Sequence, residues 1–258
     1  MTAREIVTRI QQRLAADGIA WREQTVDSFK AGSPDADVRG IATTGLATFG
    51  LLQRAAARGR NFVITHEPTF YNHQDQTTGL DNDPVYLAKQ RFIRENDMVV
   101  FRLHDHAHLL RPDPLVAGSA RALGWTGYLS PTEPRIYLLP ETTLGALATD
   151  IARRLKGHAV RVVGDPAMTV RRVMLGPGYG VPVLDASFDV SVGGEIGESG
   201  GNAEYALDST TLGRPRGMIL LGHMLSEDFG MDEVAQWMRP FLPGVPIEWI
   251  PAGEPFGA

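Results

Sequence analysis

The chain has 258 residues, 43% hydrophobic and 21% charged, with 25 basic against 30 acidic side chains and a formal net charge of −5. That balance argues against a protein built to neutralise nucleic-acid phosphates, and the length suffices for one large core or two smaller ones. With no cysteine, disulfides, thiolate zinc sites and cysteine nucleophiles are excluded, so a bound metal must be held by nitrogen and oxygen.

In chain order, Ile6, Ile10 and Leu14 recur at helical spacing behind Thr2, which predicts a capped amphipathic helix rather than a targeting segment. An irregular stretch, 25–37, precedes a strand at 38–43, a helix at 46–58 and a strand at 61–65. Pro84 suits the first turn of a helix running towards Asn96, and 98–103 reads as the next strand. Five prolines punctuate 110–142, where only 115–123 is helix-like, so that stretch reads as a connection between halves. A second alternation follows: helix 143–156, strands 159–163 and 170–175, a strand near 188–192, a helix near Ala203, a strand at 218–221 and a helix from Met231. No apolar run reaches the roughly 18 residues of a membrane span and no signal peptide is evident, which predicts a cytoplasmic chain without membrane contact.

Three of these strands close on histidines: His66 after 61–65, His104, His106 and His108 after 98–103, and His223 after 218–221. Ligands in open α/β sheets bind outside the carboxyl ends of strands, so this placement predicts a polar crevice holding a metal centre. Glu67 is adjacent to His66, and Glu227 falls one helical turn after His223. The candidate ligands are His66, Glu67, His104, His108, His223 and Glu227. Asp105 and His106 are candidates either for orienting the ligating rings or, with Glu195, for acting as the catalytic base. Lys30, Tyr205 and the Gly-rich 193–201 are candidate substrate contacts. His158 reads as an ordinary surface histidine, and His73 sits in a polar run where a solvated loop is at least as good a reading.

Thr65-His66-Glu67-Pro68, His104-x-x-x-His108 and Gly222-His223-x-x-x-Glu227, with 189–195 and the closing Pro255-Phe256, resemble the Nif-three-like family, whose members are often labelled GTP cyclohydrolase 1 type 2 homologues or dinuclear metal-centre proteins. The resemblance implies one Nif-three-like unit over 1–258, made of two related α/β halves at about 1–125 and 135–258 around a central metal site, with no inserted domain. It also implies toroidal homo-oligomers, commonly hexamers. The family usually has two adjacent histidines after the first strand and His-x-x-x-Asp after the second; here those positions are Glu67 and His108. Carried over, its ligands become His66, Glu67, His108, His223 and Glu227. Imidazole cannot bridge two ions as a carboxylate can, so the expectation is one or two divalent ions, with zinc, manganese, iron, cobalt and nickel all suited to such donors.

The leading functional expectation is a metal-dependent hydrolase of a small nucleotide-like or phosphorylated molecule, the substrate class resting on the family label alone. The alternative is a non-catalytic oligomeric metal-binding scaffold, chaperone or regulator. An open coordination position beside a substrate-sized cleft separates the two.

Overall fold

The computed structural model describes residues 1–180, 184–185, 187–197 and 201–256. In chain order its elements are α1 (Ala3–Ala16), β1 (Phe29–Ala31), β2 (Ile41–Thr44), α2 (Phe49–Ala57), β3 (Phe62–Thr65), α3 (Pro84–Glu95), β4 (Val99–Arg102), α4 (Pro114–Ala122), β5 (Ile136–Thr143), α5 (Leu144–Leu155), β6 (Arg161–Val163), β7 (Thr169–Gly176), β8 (Val190–Gly193), α6 (Asn202–Thr211), β9 (Gly217–Leu220), α7 (His223–Glu227), α8 (Gly230–Met238) and β10 (Ile247–Trp249). They form two compact units, Met1–Pro114 with Gly230–Ala252, and Leu115–Phe229 with Gly253–Ala258. No helix among the described residues is long and apolar enough to cross a membrane.

The first unit begins as its sequence periodicity requires. Thr2 Oγ1 accepts from the Glu5 amide at 3.2 Å while the Thr2 amide donates to Glu5 Oε2 at 2.8 Å, a capping box that satisfies two donors at the start of α1. Ile6, Ile10 and Leu14 then fall on its buried face. Asp83 caps α3 through the Tyr86 amide at 2.8 Å, and Pro84 occupies the first turn, where its missing N–H costs nothing. The sheet runs β1-β4-β3-β2-β10, with β10, β2, β3 and β4 parallel and β1 antiparallel at the edge. β2, β3 and β4 are buried throughout. That explains why none of them alternates between apolar and exposed polar residues, since helices cover both faces of a parallel sheet. Leu51, Leu52, Val63, Val100 and Ile250 belong to its core.

The second unit's sheet runs β5-β7-β8-β9-β6, with β7, β8 and β9 parallel and β5 and β6 antiparallel at its edges. α5 contributes Leu144, Leu147, Ile151 and Leu155 to a core shared with Val173, Val190, Val192 and Ile219. The α/β architecture expected from the sequence is what the structure has.

Three strands depart from the sequence reading. β5 lies inside the stretch read as a connection; only part of it faces the core, so its apolar alternation is broken by exposed Leu138, Pro140 and Glu141. β1 and β10 are three residues long and half-buried, too short to show a period. α8 and β10 also carry the chain back to the first unit, where β10 pairs with β2.

Ile151 is fully buried in the second unit's core. Ile151→Ala is expected to destabilise that unit by roughly 2–5 kcal/mol, read as the shift of its denaturant midpoint.

Candidate metal centre

Thr44, Thr65 and Arg102 stand opposite one another at the ends of three parallel strands. The chain therefore leaves β3 at His66 and β4 at Leu103 and His104 in the same layer, outside the strand ends where ligands of α/β sheets bind. The backbone extends this register, since the His66 amide donates to the Thr44 carbonyl at 3.0 Å and the Leu103 amide to the Thr65 carbonyl at 2.9 Å. His66 is fully buried, and its Nδ1–H donates to the Leu103 carbonyl at 3.3 Å. His104 Nδ1 pairs with Asp105 Oδ1 at 2.9 Å, and His108 Nδ1 with Asp113 Oδ2 at 3.2 Å.

Each of the three rings thus has its Nδ1 engaged by an oxygen acceptor, which leaves Nε2 with the lone pair. This is how ligating histidines are ordinarily oriented. One donor atom from each of His66, His104 and His108 can be chosen so that all lie within 4.8 Å of one another. The His66 and His104 rings stack at 4.5 Å, and His108 meets both edge-on at 5.0 Å. Burial, and then the neighbouring His104 and His108, push the His66 pKa well below the ordinary imidazole value, so this ring is neutral and able to ligate. The donor chemistry fits a divalent transition ion.

The turn that carries His104 is held from beneath by Asp27, a residue the sequence did not single out. Its buried carboxylate accepts the amides of His104 at 2.6 Å, Asp105 at 3.0 Å and His106 at 2.9 Å, and the His106 Nδ1–H at 2.6 Å. His106 is itself fully buried. Its Nε2 accepts the Arg22 amide at 3.0 Å, and Trp21 stacks on the ring at 3.9 Å with planes 1° apart. With both nitrogens committed, His106 is an architectural group, not a base open to a reacting proton. Asp105 accepts from Thr25 Oγ1 at 2.8 Å and the Val26 amide at 3.2 Å as well as from His104. Burial works against its charge, but these hydrogen bonds outweigh it and hold the carboxyl down at about 2. A carboxylate that acidic orients His104 better than it accepts a proton.

Glu67 is 8% exposed and meets Arg102, whose Nη2 lies 3.2 Å from Oε2; Oε1 lies 3.7 Å from His104 Nε2. Arg102 is fully buried and also donates to the carbonyls of His66 at 3.0 Å and His73 at 2.5 Å. Asp75 receives Arg102 at 3.7 Å and Lys30 at 3.4 Å. Lys30, a candidate substrate contact, is thus committed to an internal ion pair. The His73 ring meets His104 edge-on at 5.9 Å, which makes the polar loop around it part of the wall of this site.

In the second unit, His223 opens α7 immediately after β9, and the four-residue spacing puts Glu227 on the same face. His223 Nε2 is 2.9 Å from Glu227 Oε2, and Nδ1 is 2.9 Å from Glu195 Oε1. Glu195, proposed from sequence as a base, is thus also a ring partner. Gly178 has φ +64°, and a Cβ there would run into the Glu227 carboxylate, so glycine permits the close approach of this turn to the donor pair. Tyr205 is 42% exposed on α6. Of the Gly-rich 193–201, residues 198–200 lie outside the described residues. His158 sits in a loop whose amide donates to Glu254 at 2.7 Å.

Lys89 is a further buried cation that sequence reading passed over. It is 3% exposed, donates to the Thr69 carbonyl at 2.6 Å and lies 5.5 and 5.6 Å from the ring centroids of Phe70 and Tyr71. Burial lowers its pKa to about 8, with Asp75 opposing the shift. The folded state therefore binds fewer protons than the unfolded state between about 8 and the unfolded lysine value, and stability rises with pH across that window. Compared with Lys89→Met, the wild-type protein is expected to gain stability from about pH 8 to about pH 10 by denaturant titration. A constant difference between the two would contradict this assignment.

The fold described above is shared with several solved structures. SA1388 of Staphylococcus aureus superposes with a TM-score of 0.73 at 16% identity, covering 100% of this chain and 99% of that one. A Bacillus cereus protein related to NIF3 gives 0.75 at 16% identity, with 100% and 99% covered. The protein ybgI gives 0.70 at 20% identity, with 99% and 100% covered. At such identities the likeness establishes the fold alone. No curated protein matches the sequence. The family model for Duf34/NIF3 (NGG1p interacting factor 3) matches residues 1–252, and the chain belongs to that family.

Proposed function

We propose that this protein binds a divalent transition ion in its first unit through His66, His104 and His108, with Glu67 beside them, that His223 and Glu227 are a separate donor pair of the second unit, and that the bound metal serves to hydrolyse a small phosphorylated or nucleotide-like molecule. The observation that carries the reading is the shared orientation of three imidazoles, each with Nδ1 engaged and donor atoms within 4.8 Å of one another. An ordinary polar loop has no reason to fix three ring tautomers in this way.

When bound, such an ion would supply Lewis acidity that lowers the pKa of a water molecule towards neutrality. The remaining work falls to the chain. Leu103, Asp105 and Asp113 fix the three rings. Asp27 presets the backbone of the turn between them, so little reorganisation is needed on binding. Glu67 holds one oxygen against Arg102 and directs the other towards His104, where Oε1 can take up a proton. Assembly into a homo-oligomer, which the family resemblance implies, belongs to the same proposal and is read by sedimentation.

Protein purified without a histidine tag is expected to carry a divalent ion by elemental analysis, and His66→Ala or His108→Ala to lose most of it. Glu67→Gln is expected to keep the ion while turnover of a chromogenic phosphodiester falls by roughly 10²–10⁴-fold. Full metal in His66→Ala would refute the site. Bound metal without phosphoester turnover would favour the scaffold or regulatory reading.

A further inference from the structure

We infer that Arg111 is the residue that meets the phosphoryl group of the substrate, its guanidinium standing beside the His108 backbone as a fixed cation whose uncommitted edge takes phosphate oxygens. This rests on the metal-dependent hydrolase reading above and adds to it a specificity-determining residue outside the donor set.

Phosphoryl chemistry makes a demand that imidazoles and carboxylates do not meet. The group carries its negative charge on several oxygens, and cationic side chains commonly hold those that a metal does not. Guanidinium suits the task, because its planar fork offers parallel N–H donors and keeps its charge under all ordinary conditions. Two cations near the donor rings are already committed. Arg102 is fully buried and gives Nε to the His66 carbonyl, Nη1 to the His73 carbonyl and Nη2 to Glu67. Lys30 faces Asp75 at 3.4 Å.

Arg111 differs from both. It is exposed, and its Nη1 donates to the carbonyl of His108 at 2.8 Å and to that of Leu110 at 2.7 Å. Neither acceptor is charged. Asp113, two residues on, faces the His108 ring at 3.2 Å, and among the described residues no carboxylate lies within ion-pair distance of Arg111. The guanidinium therefore keeps an uncompensated charge, and its Nε and Nη2 make no hydrogen bond within the chain. Capping the last carbonyls of the short turn at His108 accounts for Nη1 alone. The remaining donors and the charge lack a counterpart, and an oxyanion supplies both. Anchoring at two carbonyls also restricts the side chain before a ligand arrives, which lowers the ordering cost of binding.

The test is calorimetric titration of inorganic phosphate into untagged, metal-loaded protein, with bound metal measured by elemental analysis in every variant. Arg111→Ala is expected to weaken phosphate binding by roughly 10–100-fold, the loss that accompanies a charge-assisted hydrogen bond, and to keep the wild-type metal content. Arg111→Lys is expected to fall between the two, because an ammonium restores the charge without the fork. Arg94→Ala, which removes an exposed cation of α3, is expected to bind phosphate as the wild type does. Unchanged phosphate affinity in Arg111→Ala, or an equal loss in Arg94→Ala, would overturn the assignment and leave the metal reading intact. Loss of metal in Arg111→Ala would overturn it in favour of a purely structural cap. Metal-loaded wild-type protein that binds no phosphate would overturn it as well, and wild-type protein that holds no metal would overturn both the assignment and the reading beneath it.

Discussion

Four N–H groups converge on the buried carboxylate of Asp27: three consecutive backbone amides and the imidazole of His106. Three successive amides pointing one way force the chain into a tight concave turn, and a buried anion is the partner such a turn requires. The turn begins at the end of β4, so its shape decides where the His104 ring emerges. Losing the carboxylate would strand all four donors at once, each of which costs free energy when unmet. The geometry of the candidate metal centre depends on this arrangement more than on any contact between the imidazoles themselves.

Around that turn, charge is arranged in layers. Nearest the rings are oxygen acceptors that set the tautomers: the Leu103 carbonyl and the carboxylates of Asp105 and Asp113. Behind them lies the Arg102 cluster, in which Arg102 and Lys30 meet the carboxylates of Glu67 and Asp75. The second unit repeats the idea with different parts, His223 standing between Glu195 and Glu227. His104, His108 and His223 are each placed by a carboxylate, and Asp105 and Glu195, which sequence suggested as bases, are spent on holding rings.

Much of this frame was legible in the sequence and part was not, for physical reasons. β3 and β4 are buried on both faces, so their apolar runs stand out, and the histidines that close them mark the strand ends directly. α1, α3 and α5 announce themselves through caps and helical periodicity. Asp27 was invisible because its partners lie 77 to 79 residues away, beyond any local pattern. Arg102 was read as one more strand residue, and nothing in a strand pattern distinguishes a buried guanidinium from an exposed one. His106 looked like a base for the opposite reason: its neighbours in sequence are chemically suggestive, while the groups that occupy both its nitrogens come from residues 22 and 27.

The central claim is that three imidazoles of the first unit bind a divalent ion together. X-ray absorption at the metal edge of untagged, metal-loaded protein reads this most directly, because imidazole rings leave an outer-shell scattering pattern whose amplitude counts them. The account predicts a mixed nitrogen and oxygen shell with at least three imidazoles. An oxygen-dominated shell with one imidazole or none would contradict it.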